Sequence, residues 1–250
     1  MKKTTTRALK QLILTLVLLN ASLFFGQIAL PSAVPVIENF NGTVISSTVN
    51  LPANWKMSNE GTGAPTWANA GNFTASSSSA TSGTPSSGGR YNWGNSTITT
   101  DRAIGFMTSG SYASPNSVMA FYSNTSGLQI NDLTISFDYE RYRINSSACS
   151  VTFFTSTDGS TWTARTAGDS GAFATSSSAY DFSTGTVISK SVNLTGVNIA
   201  NGGSIYIRWN FDTVGANSQG VGLDNVSLTA SLAASAITSA QTGNWSSTST

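Results

Sequence analysis

Apolar and polar residues alternate with a period of two through much of the chain beyond residue 100. In residues 204–212 (SIYIRWNFD), every second residue is a large apolar one, and the residues between them are mainly polar. This alternation predicts a strand with one face in the core and the other towards solvent. Residues 133–143 repeat the pattern, and another strand begins at Val151 and ends at Asp158-Gly159, a strong turn signal. Further strands are predicted at residues 118–122, 187–194 and 223–229.

Signals for helices are weak in the sequence that follows residue 26. No segment there combines an apolar period of 3.6 residues with capping residues at its ends. Many short strands joined by turns rich in Gly and Ser are typical of an antiparallel sandwich or barrel. We therefore predict an all-β fold.

The N-terminus has the pattern of a secretory signal peptide. Four basic residues within the first ten precede an apolar run at residues 12–25. This run is shorter than a membrane-spanning helix needs, and a charged start followed by a short apolar stretch is typical of an export signal. We predict a signal peptide at residues 1–26 and a short linker at 27–35, which places the protein in a secreted or cell-surface location. An uncleaved membrane anchor is the alternative.

The charge balance argues against nucleic acid and lipid surfaces as partners. The chain has 12 basic and 11 acidic residues. Removal of the signal peptide takes away four basic residues, which leaves 8 − 11 = −3. A weakly acidic chain without a basic cluster lacks the electrostatic footprint of a nucleic-acid or lipid binder. No transmembrane span is predicted in the mature chain.

Several catalytic chemistries are missing from this sequence. It contains no His, which removes Ser-His-Asp and Cys-His catalysis and zinc sites that use His. The single cysteine, Cys149, has apolar neighbours and is predicted to be a buried structural residue. These features favour a protein that is not an enzyme.

One pair of carboxylates keeps an enzymatic alternative open. Asp138 and Glu140 are two residues apart on one predicted strand face, which sets them about 6.5–7 Å apart. Glycosidases use two carboxyl groups at comparable separations. A carbohydrate-active hydrolase that uses this pair is therefore the alternative function, unless neighbouring arginines neutralise both groups.

The remaining charges suggest structural pairing. We predict a network of ion pairs on one sheet face, because the guanidinium group matches a carboxylate in two-point geometry. A polar patch that binds a ligand is the alternative interpretation. The predicted members are Asp101, Arg102, Glu140, Arg143 and Arg208.

Three aromatic residues are candidates for ligand binding. Tyr91 and Trp93 follow a loop rich in Ser and Gly, and Trp67 precedes that loop. Aromatic rings can stack on the apolar faces of sugars while a polar edge stays nearby. The alternative is that these rings fill the end of the sandwich as core.

An ordered set of short motifs resembles a jelly-roll module of secreted bacterial proteins, of the MAM or concanavalin-like kind. The resemblance covers about residues 36–230. It implies an extracellular, non-catalytic, two-sheet antiparallel jelly-roll β-sandwich of unestablished activity, found in large multidomain surface proteins. Its motifs are residues 39–42 (NFNG), 51–55 (LPANW), 88–94 (GGRYNWG), 101–105 (DRAIG), 124–128 (NTSGL), 140–143 (ERYR), 207–209 (IRW) and 222–226 (GLDNV).

Calcium is the one cofactor that we consider. In jelly-roll modules the first and last strands often run side by side, and their carboxylates can share a structural calcium ion. Glu38, Asn41 and Asp224 offer the oxygen ligands that this cation prefers. Asn225 stands where the module often has a second Asp, which weakens the site.

The expected function follows from export, fold and missing catalytic groups. We expect a non-catalytic module of a cell-surface or extracellular multidomain protein that acts in adhesion, glycan binding or presentation of a neighbouring domain. Its partners would be a glycan or cell-surface ligand and a downstream domain of the same polypeptide. Residues 231–250 are predicted to be a linker and the start of a truncated following region. An inert structural spacer is the third possibility.

Overall fold

The computed structural model describes residues 27–31, 33–43, 50–58, 65–70, 85–95, 101–110, 115–182 and 186–234. Within these ranges the regular structure is almost entirely β, with short 3₁₀ turns at Asn41–Thr43 and Thr166–Gly168. The strands are β1 Ile28–Leu30, β2 Val36–Glu38, β3 Trp55–Met57, β4 Gly89–Trp93, β5 Ala103–Met107, β6 Asn116–Asn124, β7 Ile130–Ile144, β8 Ser150–Ser156, β9 Thr163–Ala164, β10 Ala179–Tyr180, β11 Thr186–Leu194, β12 Ser204–Asp212 and β13 Gly220–Leu232.

These strands form two sheets that pack face to face. The first sheet has the order β1-β6-β12-β8-β9, and β3 also pairs with β6. The second sheet has the order β10-β7-β13-β5-β4, with β11 added beside β7 and β2 beside β13. From β6 to β8, and again from β11 to β13, consecutive strands change sheet. The two-sheet β-sandwich predicted from the sequence is therefore confirmed.

Two details differ from the sequence prediction. The pairing of β1 with β6 is parallel, whereas the other pairings between the described strands are antiparallel. The sandwich also begins earlier than predicted, because β1 lies inside the predicted linker and buries Leu30 in the core. At the other end, β13 continues to Leu232. The predicted signal peptide and residues 235–250 lie outside the described residues.

The core between the sheets is built around aromatic rings. Trp209 of β12 stacks on Trp55 of β3, with ring centroids 5.7 Å apart and an interplanar angle of 17°. The Phe137 ring of β7 packs edge to face against the Trp209 indole, with ring centroids 5.5 Å apart, and this contact joins the second sheet to the first. All three side chains are buried. Contacts of this kind add about 0.5–1.5 kcal/mol per pair beyond the area that they bury.

The alternation of side chains leaves each sheet with an outer face that does not contribute to this core. In β12, Ile205, Ile207 and Trp209 are buried in the core, and Tyr206 lies on the outer side. What these two outer faces carry decides what the sandwich can bind. No helix in the described ranges is long and apolar enough to cross a membrane.

Glycines allow β13 to approach β5 closely in the second sheet. A Cβ atom added at Gly105 would lie 2.0 Å from the carbonyl oxygen of Val221 and 2.7 Å from the Cα of Gly222. Backbone atoms cannot move away as the end of a side chain can, so a side chain at residue 105 would force the two strands apart.

We expect Gly105→Ala to lower the free energy of unfolding by about 1–3 kcal/mol, the usual cost of overpacking. Urea denaturation followed by tryptophan fluorescence measures the change. Gly110→Ala is the matched control, because an added Cβ there has no atom within 4 Å. Equal stability of the two variants would contradict the role given to Gly105.

Candidate functional site

The outer face of the first sheet carries a cluster of half-buried aromatic rings, which we call the aromatic face. Two of its rings come from loops and three from neighbouring strands. Strand alternation explains the second group, because these residues lie between core positions of β6, β8 and β12. The aromatic face consists of Trp67, Phe121, Phe154, Trp162 and Tyr206.

Three of these rings form one group. Phe121 and Tyr206 are directly opposite one another on β6 and β12, and their rings stack at 4.5 Å with an interplanar angle of 14°. The Trp67 ring lies 5.7 Å from each of them. All three residues are half-buried, so part of the surface of each residue remains accessible.

The two tryptophans are held in place by the turn that follows β8. The backbone N–H of Trp67 donates to the carbonyl of Gly159 at 2.7 Å, and the indole Nε1–H of Trp162 donates to the carbonyl of Pro65 at 2.6 Å. Gly159 has a φ of +71°, and an added Cβ there would lie 2.9 Å from the Cβ of Trp67. The Asp158-Gly159 turn signal in the sequence therefore also positions an aromatic side chain.

Two cations lie among the rings. The Lys56 ammonium is 4.3 Å from the centroid of the Trp67 ring and donates to the Trp67 carbonyl at 2.8 Å. Burial lowers the pKa of Lys56. The Arg208 guanidinium lies 4.1 Å from the Phe154 ring and 5.0 Å from the Trp162 ring. Cation–π contacts of this kind help to fix the rings before any ligand arrives.

The outer face of the second sheet also carries an aromatic row, but its first members are buried. Tyr91 stacks on Trp93 at 4.4 Å, Trp93 on Tyr142 at 5.6 Å, and Tyr142 on Phe182 at 6.2 Å. Tyr91 and Trp93 are both 0% exposed. Both rings are packed inside the protein, as in the alternative interpretation that they fill the sandwich and do not bind a sugar. Of the three predicted sugar-stacking residues, Trp67 alone is partly accessible.

Next to this row, carboxylates come together on the second sheet. Asp101, Glu140 and Asp224 each place an oxygen so that all three lie within 4.8 Å of one another. Burial, together with the charges of Glu140, Asp101 and Asp138, raises the pKa of Asp224 to about 8. Burial also raises the pKa of Glu140. We call Asp101, Glu140 and Asp224 the acidic cluster.

The predicted ion-pair residues do not gather in one place. Glu140 accepts a hydrogen bond from the Tyr142 hydroxyl. Arg143 donates to the sulfur of Met107 at 3.0 Å, and its guanidinium lies 5.3 Å from the Tyr180 ring. Arg208 belongs to the first sheet, away from these groups. Strand connectivity separates side chains that the sequence pattern had placed together.

Within the predicted network, Asp101 lies beside Glu140, and Arg102 lies beside Asp101. Asp101 belongs to the acidic cluster, and its charge acts on the buried Arg102 guanidinium. Arg102 also donates through Nη2 to the carbonyl of Asn95 at 2.7 Å. The structure therefore brings together one arginine and two carboxylates of the predicted five residues.

The three residues predicted to share a calcium ion are also not assembled as expected. Glu38 is directly opposite Val226, whose side chain is in the core, so Glu38 lies on the core side of the second sheet. Asp224 is opposite Asp138 on the outer face. A β-bulge between Asp224 and Ser227, in which Asn225 has a φ of +50°, separates these two registers.

The remaining polar groups of that predicted site are engaged elsewhere. Glu38 Oε1 accepts the Phe40 N–H at 2.8 Å. Asn41 Oδ1 accepts the Arg102 N–H at 2.9 Å, which brings Asn41 close to Asp101 instead. Glu38 therefore lies on the opposite side of the sheet from Asp224, while Asn41 lies close to Asp101.

The proposed hydrolase pair lies on the same outer face. Asp138 accepts the Asn225 side-chain amide at 3.0 Å, and Glu140 accepts the Tyr142 hydroxyl. One cavity of about 400 Å³ is lined by Tyr142 and Tyr180, and another of about 380 Å³ lies beside Asp158. Neither Asp138 nor Glu140 lines either cavity.

Four residues of the aromatic face were missed by sequence reasoning. Tyr206 occupies a polar position in the alternation of residues 204–212, and Phe154 does so in β8. Aromatic residues at outward positions are the signal that could have revealed this face. Phe121 and Trp162 required the strand pairing and the turn geometry.

Comparison with known proteins gives only distant likenesses. No family model and no curated protein matches the chain. It is similar to the K3 and K1 cleaved adhesin domains of Lys-gingipain from Porphyromonas gingivalis W83. Identities are 14% and 15%, and TM-scores are 0.43 over 78% of this chain and 97% of K3, and 0.40 over 79% of this chain and 99% of K1.

TmCBM61 in complex with β-1,4-galactotriose is a third similar structure. It is 10% identical, with a TM-score of 0.30 over 77% of this chain and 94% of that chain. At such identities and TM-scores, the function of this chain has to be argued from its own residues.

Cys149 is buried, with 2% of its surface exposed, and burial raises the pKa of its thiol to about 12. Because the thiolate is the reactive form, the folded protein at about pH 8 should be alkylated by iodoacetamide more than about 100-fold more slowly than the unfolded protein. Mass spectrometry of samples with and without guanidinium chloride measures the ratio. Equal rates in both samples would show a reactive, accessible thiol.

Proposed function

We propose that this chain is an exported, non-catalytic β-sandwich module that binds glycans through the aromatic face. The observation that carries the proposal is the cluster of five half-buried rings with two cations on one outer face. Isolated apolar residues are normal on a protein surface, but a group of rings with polar groups between them is typical of a binding site.

The chemistry of the aromatic face suits a sugar better than an extended apolar partner. Rings such as Tyr206 and Trp67 offer apolar surface to the C–H groups of a pyranose, and the Tyr206 hydroxyl and the Lys56 ammonium can meet its hydroxyl groups. Asn210 extends the polar edge, since it follows Arg208 by two residues on the outer side of β12.

The site is also preorganised. The hydrogen bonds from Trp67 to Gly159 and from Trp162 to Pro65 hold both loop tryptophans against the sheet. Ordering side chains during binding costs about 0.5–1.5 kcal/mol for each one immobilised, so rings that are already fixed avoid part of that cost.

Export and a surface location belong to the same proposal. They are supported by the charged and apolar pattern of residues 1–26, which is typical of a signal peptide. Adhesion through a glycan, or delivery of a neighbouring domain to one, would follow from binding at the aromatic face.

We expect the protein to bind at least one member of a panel of neutral β-1,4-linked oligosaccharides (cello-, manno- and galacto-oligosaccharides) in isothermal titration calorimetry. Tyr206→Ala and Trp162→Ala should each weaken that binding about tenfold or more, which corresponds to about 1.4 kcal/mol. Phe182→Ala is the matched control, because Phe182 is a half-buried aromatic residue that follows β10 and packs against Tyr142 of the other sheet.

The titration, a glycan array and an assay for hydrolysis together distinguish the three possible functions. Binding that is lost in Tyr206→Ala and kept in Phe182→Ala supports the aromatic face. Silence across the panel and on a broader glycan array favours an inert spacer. Release of reducing ends that is lost in Glu140→Gln and Asp138→Asn would establish the hydrolase alternative.

A further inference from the structure

The acidic cluster is assembled by the sheet and not by neighbouring residues in the chain. Glu140 belongs to β7 and Asp224 to β13, while Asp101 lies just before β5. Because β13 pairs with both β7 and β5, these three segments are adjacent in the second sheet. Asp224, opposite Asp138 in the register, lies on the same outer face as Glu140.

The spacing of the cluster matches a calcium site. One oxygen from each side chain lies within 4.8 Å of the other two. Calcium binds oxygen ligands at about 2.3–2.6 Å, so two ligands on opposite sides of the ion are about 4.6–5.2 Å apart. All three oxygens can therefore contact one ion without rearrangement of the strands.

Asp224 supplies an independent observation that points to a cation. Asp224 is 2% exposed. Its oxygen Oδ1 is buried and has no hydrogen-bond partner among the described residues. A buried carboxylate oxygen without a partner costs free energy, and buried charges in proteins are usually paired or bound to a metal.

The local charge also favours a cation. Four carboxylates, those of the cluster and of Asp138, act on one another at this place. The guanidinium of Arg102 lies beside Asp101. Like charges at this separation disfavour ionisation, and a divalent cation offsets the repulsion.

We propose that Asp101, Glu140 and Asp224 bind one calcium ion on the outer face of the second sheet. The ion would accept Asp224 Oδ1 as a ligand and tie β13 to β7 and to the segment before β5. Water molecules would complete the coordination on the side of Asp101, the exposed member of the cluster.

The test uses the whole mature chain after treatment with a chelator that is then removed. Calcium chloride is titrated in a calorimeter, and the melting temperature is measured with and without calcium. We expect one saturable site and a rise in melting temperature of about 5–10 °C when calcium exceeds its Kd about 100-fold.

Three variants locate the ion. Asp224→Asn and Asp101→Asn should lose both the heat of binding and the melting shift. Asp101 is exposed, so its variant keeps the test valid even if Asp224→Asn folds poorly. Glu38→Gln is the control and should keep both signals, because Glu38 lies on the core side of the sheet.

Each other outcome overturns the proposal. Absence of heat and of a melting shift in the unaltered chain would mean that no calcium binds. Binding that survives in both Asn variants, or that is lost only in Glu38→Gln, would place the ion elsewhere.

Discussion

Only one face of each strand in a two-layer sandwich can pack in the core. The rest of this structure depends on that constraint. In β12 and in β7, every second side chain meets the opposite sheet, around Trp209 and Phe137. The side chains between them must then be placed on an outer face, whatever their chemistry. Both outer faces of this protein carry aromatic and charged residues, yet the two faces differ.

The difference lies in accessibility and in the charged groups that lie beside the rings. On the first sheet the rings remain half-buried, and they have Lys56 and Arg208 among them. On the second sheet Trp93 lies over Gly220 and Gly222, where an added Cβ would come within 3.1 Å of the indole. The buried rings of that row are not accessible to a ligand, and the carboxylates of the acidic cluster lie beside them. Under the two proposals made above, the first face would bind a glycan and the second a calcium ion.

The alternation of residues was sufficient to predict a two-sheet sandwich, because it indicates directly which face of a strand is buried. The SIYIRWNFD segment gave both the strand and its core face correctly. It was insufficient for the sites, because Asp101, Glu140 and Asp224 meet only through the pairing of β13 with β7 and β5. The bulge at Asn225 shifts the register of β13 and separates Glu38 from Asp224, and no local pattern predicts such a shift.

Nuclear magnetic resonance can show, residue by residue, whether a sugar binds to the aromatic face of the first sheet. Indole N–H signals of ¹⁵N-labelled protein would be followed while a β-1,4-linked oligosaccharide is added. If the aromatic face binds the sugar, the signals of Trp67 and Trp162 shift, and the signals of the buried Trp55, Trp93 and Trp209 do not change. Shifts confined to the Trp93 signal would contradict binding at the aromatic face. Binding of the sugar without a shift of the Trp67 and Trp162 signals would contradict it as well.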